Sequence, residues 1–132
     1  MNDLLEHVIS AHGGRERWLQ IGGLRVEATL HGSFWAVRGF SDEPFEETVT
    51  IDTRRELIRF KTFYFGDDGL LRRLDYDVDV NTGVAVAHYV SDYRTFEGIQ
   101  VPTWRRVHRR NADNSAGENW SIGIDINRVM AV

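Results

Sequence analysis

His88 and Asp92 stand four residues apart in the segment Ala87-His88-Tyr89-Val90-Ser91-Asp92-Tyr93-Arg94. On a strand both point to one face, about two pleats apart. If that face is inward, His88 is a general acid or base near neutral pH. Asp92 lies too far along the strand to orient the ring. It would polarise a substrate or pair with Arg94 instead. The competing expectation is a solvated face, because burying a charged pair without need is costly. Tyr89 and Tyr93 occupy the opposite face of the same strand. Tyrosine hydroxyls in an apolar interior donate hydrogen bonds to a ligand carbonyl, or are satisfied by backbone in an aromatic core. Only one face can be inside, so the His88 and Tyr89 hypotheses compete. The catalytic candidates are His88, Asp92 and Tyr93.

Asp75, Asp77 and Asp79 form an acidic ladder on one strand face. Three hard oxygen ligands suit calcium or magnesium. Residues four apart on a strand are ~13 Å apart, too far to share an ion. The expectation is a solvent face whose charge Arg73, Arg105 and Arg109 offset across strands. His7 and His12 have no carboxylate at helical spacing apart from Asp3, so no metal site is expected. Arg105-Arg106 and His108-Arg109-Arg110 form a basic run, which a strand divides between two faces. Trp35, Tyr76, Tyr89, Trp104 and Trp120 are candidate ligand-binding aromatics on the inner face or rim; core packing explains them equally well. No nucleophile elbow, phosphate loop or dinucleotide fingerprint is present, so no cofactor is expected.

Composition bounds the possibilities. A chain of 132 residues fits one domain, 1–132, and can bury one real core. Its 16 basic and 20 acidic residues give a net charge of −4, which argues against a nucleic-acid partner. The absence of cysteine excludes disulfides, thiolate catalysis and cysteine-based metal sites. No apolar run approaches the ~20 residues that span a bilayer. The first residues, Met1 to His7, are acidic and amphipathic rather than signal-like, so a cytoplasmic location is expected.

The elements that must position these residues follow from periodicity. Residues 3–12 read as a helix, with Leu4, Leu5, Val8 and Ile9 on one face. Gly13-Gly14 ends it. Arg15 to Gln20 adds a turn anchored by Trp18, which completes a helical segment over 1–22. From Leu24 the period becomes two. Strands are expected over 24–31, 34–38, 48–52, 57–65, 74–80, 84–96, 99–110 and 120–127. Gly66-Asp67-Asp68-Gly69 and Asn81-Thr82-Gly83 mark turns. Pro102 points to an edge or a bulge. The fold class expected over 23–132 is an all-β antiparallel meander, curled into a strongly curved sheet or a small barrel of about eight strands.

Two stretches carry a family resemblance. One is Ala11-His12-Gly13-Gly14-Arg15-Glu16-Arg17-Trp18. The other is Phe63-Tyr64-Phe65-Gly66-Asp67-Asp68-Gly69-Leu70-Leu71-Arg72-Arg73-Leu74-Asp75-Tyr76, continued by Ala87 to Arg94 and Val101-Pro102-Thr103. Together these resemble a family of uncharacterised bacterial proteins that is similar to the LolA-like lipoprotein-carrier superfamily. That resemblance implies an incomplete antiparallel barrel with a helical lid around a lipophilic cavity. It carries no catalytic residues over. Family members are longer, and this chain passes from an N-terminal part near Phe60 to a C-terminal part near Thr62. The middle strands and lid of the family domain are thus missing, which leaves closure to a second subunit or open. The function expected is binding of a small hydrophobic molecule. One alternative is a cofactor-independent cyclase or isomerase that uses the same cavity. Another is a shortened paralogue that forms a homodimer through its sheet edges.

Overall fold

The computed structural model describes residues 3–37, 39, 43–53, 62–78 and 84–132. Two short helices come first: α1 (Asp3–Ala11) and α2 (Arg15–Gln20). Asp3 and Glu6 place acidic side chains in the first turn of α1, where they complement the helix dipole. Gly14 donates its N–H to Ile9 O at 2.9 Å and closes the last turn. Gly13 has φ +132°, and a Cβ there would stand 2.8 Å from Gly98 O. This junction therefore requires glycine, both for its backbone conformation and for its close approach to the sheet.

The strands are β1 (Gly23–His31), β2 (Phe45–Asp52), β3 (Thr62–Phe65), β4 (Leu71–Val78), β5 (Val84–Phe96), β6 (Ile99–Arg110) and β7 (Ala116–Ala131). They form one antiparallel sheet in the order β2-β1-β7-β6-β5-β4-β3. Strands β4 to β7 are a meander, and the chain's end returns to pair with β1, beside β2. The expected curved antiparallel sheet is thus present, and the barrel is not closed: β2 and β3 are its two edges.

Two expectations need correction. Residues 34–38 were expected to extend as a strand; instead Ser33–Val37 forms a short helix, α3. Gly32 at φ +119° turns the chain where a Cβ would meet Ser121 O at 2.3 Å. The Trp35 N–H then reaches Gly32 O at 3.3 Å, and Trp35 packs edge-on against Phe34 and Phe45. With that segment helical, the described strands number seven rather than eight. Residues 54–61 of the expected third turn and fourth strand lie outside the described residues. So do residues 79–83, with Asp79 and the Asn81-Thr82-Gly83 turn.

Pro102 lies where β6 has only β5 beside it, since pairing with β7 begins at Trp104. A missing backbone donor costs nothing there. The core is Ile21, Leu24, Ala28, Ile99, Ile126 and Val129, with Trp18, Val26, Leu30 and Val101 packed against it. It joins the helical segment to β1, β6 and β7 and leaves the middle of the sheet's inner face to other residues.

Candidate functional site

Register shows which side chains share a face. Leu30, Ile124, Arg105 and Val90 form one row across β1, β7, β6 and β5. Ile122, Val107, His88 and Leu74 form the next. Both rows lie on the concave side. A cavity of about 400 Å³ opens there, walled by Val26, Leu30, Val49, Val101, Ile124 and other apolar residues. His12, Trp18, Tyr93 and Arg105 contribute its polar and aromatic margin. A second cavity of about 330 Å³ lies toward α3, between Phe34, Val37, Val86, Val107 and Ile122, with Arg109 at its edge.

Strand alternation sets His88 and Tyr93 on opposite faces, and the structure departs from it. Asp92 has φ +54°. The regular pairing of β5 with β6 skips Asp92 opposite Thr103, with the same register resuming at Tyr93–Pro102. This left-handed residue interrupts the pleat and turns Tyr93 into the concave cavity. His88 and Tyr93 therefore share a side, and Asp92 leaves it. Asp92 is exposed, accepts a hydrogen bond from Thr103 Oγ1 at 3.1 Å, and lies 3.5 Å from Arg94.

His88 is 6% exposed and lines neither cavity directly. Its Nδ1 meets the Tyr76 hydroxyl at 3.0 Å, and its Nε2 is buried without a partner. Burial, reinforced by the Arg105 charge, pushes its pKa down to about 3. The ring is neutral at neutral pH. Burial also pushes the Tyr93 hydroxyl up to about 12, and raises that of Tyr76. The Tyr93 O–H donates to Leu71 O at 2.7 Å. His12 accepts the Leu71 N–H on Nε2 at 3.3 Å. Its proton therefore sits on Nδ1, which donates to Val8 O at 2.7 Å. This pair of contacts ties α1 to β4 at the cavity's rim.

Arg105 is the second orphan of this face. Its Nε is buried with no hydrogen-bond partner, and no carboxylate among the described residues pairs with it. Burial opposes its charge, and the Tyr76 and Tyr93 hydroxyls favour it. It was expected to offset the acidic ladder, as was Arg109. Both lie on the other face from that ladder, beside Val90 and Val86.

The convex face has the opposite character. Asp75 is 1% exposed and takes two bonds from Arg73, at 2.7 and 3.1 Å. Arg110 approaches the same carboxylate at 3.4 Å and Asp77 at 3.0 Å. The ladder is thus not a solvent face: its first member is buried between two guanidiniums. Arg106 pairs with Asp125 at 2.7 Å and lies over Trp104 and Trp120, 4.3 and 5.0 Å from the ring centres. His31 meets the other oxygen of Asp125 at 2.9 Å.

None of the five candidate ligand-binding aromatics lines either cavity. Tyr89 accepts a bond from Arg73 at 3.2 Å and packs on His108. Trp104 and Trp120 sandwich Arg106 on the convex side. Trp35 belongs to α3, and Tyr76 is joined to His88. Among the described residues no cluster of three potential metal ligands exists, and no helix is long and apolar enough to cross a membrane.

No protein-family model, no curated protein and no solved structure matches this chain.

Sequence reasoning passed over two residues of the cavity, Arg105 and His12. For Arg105 the signal was its place in a strand-borne basic run, where neighbours alternate between faces. For His12 there was none, because its role depends on a backbone amide 59 residues away.

Proposed function

We propose that the concave face binds a small hydrophobic molecule in the cavity between the helical segment and β1, β6 and β7. The observation that carries this is the space of about 400 Å³ with almost wholly apolar walls beside a formed core. Ligand cavities run to roughly 300–1,000 Å³ with mostly apolar walls and few polar groups. The LolA-like resemblance, which implies an incomplete barrel around a lipophilic cavity, implies the same role.

The titratable groups favour binding over cyclase or isomerase chemistry. His88 is neutral to about pH 3 and Tyr93 to about pH 12, so neither exchanges a proton readily near neutrality. The homodimer reading draws on the exposed side chains of the edge strands: Val49 and Ile51 on β2, Phe63 and Tyr64 on β3. Sedimentation at several concentrations tests it, and a strict monomer ends it. The proposal retains the cytoplasmic setting, which cell fractionation checks.

The binding test uses an uncharged probe, N-phenyl-1-naphthylamine. Its emission should rise on mixing with the protein, and Val26→Trp, which fills the cavity, should suppress that rise while circular dichroism stays unchanged. No emission change with the wild-type chain would overturn the proposal. So would equal binding to both proteins.

A further inference from the structure

Arg105 is half-buried with its Nε fully buried, and an arginine cannot escape its charge. Histidine neutralises when desolvated, as His88 does. A guanidinium stays cationic at any ordinary pH. Natural interiors therefore supply such a group with an anion, because one left alone is costly. The convex face follows that rule at Arg73, Arg106 and Arg110, each within 3.4 Å of a carboxylate. Arg105 does not. It sits in the row Leu30–Ile124–Arg105–Val90, on the wall of the apolar cavity, with Nε buried and unpartnered.

The groups around it do not neutralise it. Tyr76 and Tyr93 hold their protons at neutral pH, and the Tyr93 hydroxyl is committed to Leu71 O. His88 is neutral. Glu47 lines the β2 side of the same cavity but is exposed and makes no ion pair with Arg105. The missing element is one negative charge at the end of an apolar space.

We infer that the ligand is a small amphiphile whose carboxylate headgroup pairs with Arg105 while its hydrocarbon part lies along Val26, Leu30, Val101 and Ile124. The inference rests on the cavity reading above. A carboxylate suits the site because it brings one charge to one guanidinium. It also accepts two parallel N–H bonds from the planar fork. A dianionic phosphate would leave surplus charge in an apolar enclosure.

The test compares dodecanoate, dodecanol and dodecyltrimethylammonium as competitors for N-phenyl-1-naphthylamine, on the wild-type chain and on Arg105→Met. The wild type should prefer dodecanoate over dodecanol by roughly 10- to 100-fold, the range of a charge-assisted hydrogen bond. Dodecyltrimethylammonium should compete worst. Arg105→Met should keep the naphthylamine and lose the preference; Arg105→Lys should keep a reduced preference. Equal displacement by dodecanoate and dodecanol overturns the headgroup inference and leaves the cavity reading standing. A preference that survives in Arg105→Met does the same. If the naphthylamine itself does not bind, both readings fail.

Discussion

Arg105 and Arg106 are consecutive residues of β6, and the pleat sends them to opposite faces. Arg106 finds a carboxylate, Asp125, and two indoles. Arg105 finds Ile124, Leu30 and Val90. The same side chain is thus completed on one side of the sheet and left open on the other. The convex face is an ionic layer that closes on itself, from Arg73 and Arg110 through Asp75 to Asp77. Such closure fixes register. Among the described residues the concave face holds two buried polar atoms with nothing to bond, His88 Nε2 and, on the wall of the apolar cavity, Arg105 Nε. Unsatisfied buried groups are rare because they are costly.

The comparison breaks hardest at Asp75. Asp75→Ala strands two guanidiniums on the convex face, and we expect a loss of about 3–5 kcal/mol in urea unfolding. A loss below about 1 kcal/mol would show that the ionic layer is not closed in the way described. Next is pH. The His88 pKa is about 3 in the folded protein and ~6.5 in the unfolded chain. Between these values the unfolded chain binds the extra proton. Stability should therefore fall by ~1.4 kcal/mol per unit as pH drops through that window, and His88 should add no slope above it. In His88→Gln that part of the slope should vanish; an unchanged profile would place the acid sensitivity elsewhere.

The two arginines then give opposite signs. Arg106→Met should lower stability by about 1–2 kcal/mol, through the lost pair with Asp125 and lost stacking on indoles. Arg105→Met should raise the unfolding midpoint of the ligand-free protein, because an uncompensated charge is replaced by an apolar chain of similar length. Matching signs would erase the distinction between the faces. The smallest effect is expected at Trp104, which is 41% exposed. Trp104→Ala should cost about 0.5–1 kcal/mol and leave probe binding unchanged.

The frame of the fold was readable because alternation and turn residues are local. The β5 and β6 boundaries and the Gly13-Gly14 stop appear in the structure as expected. What failed was non-local. Phe34-Trp35-Ala36-Val37 has no glycine or proline to break a strand; its helix is imposed by Gly32 against Ser121 and by Phe45 from β2. Alternation separated His88 from Tyr93 correctly for an unbroken strand. The left-handed Asp92 that reunites them has only Thr103 to betray it, across the hairpin. The basic run could be divided between faces, but which half faced carboxylates depended on register across four strands. The acidic ladder was therefore matched with Arg105 and Arg109 beside Arg73, where the structure has Arg73 and Arg110.

The most direct measurement is a pair of ¹H–¹⁵N correlation spectra of the labelled chain, without and with dodecanoate. The indole signals divide the two faces: Trp18 borders the cavity, while Trp104 and Trp120 cover Arg106. Shifts at the Trp18 indole, at the amides of Leu30, Val101 and Ile124, and at Arg105 Nε, with Trp104 and Trp120 unmoved, are the result predicted here. Shifts confined to Trp104 and Trp120, or none on either face, would contradict it.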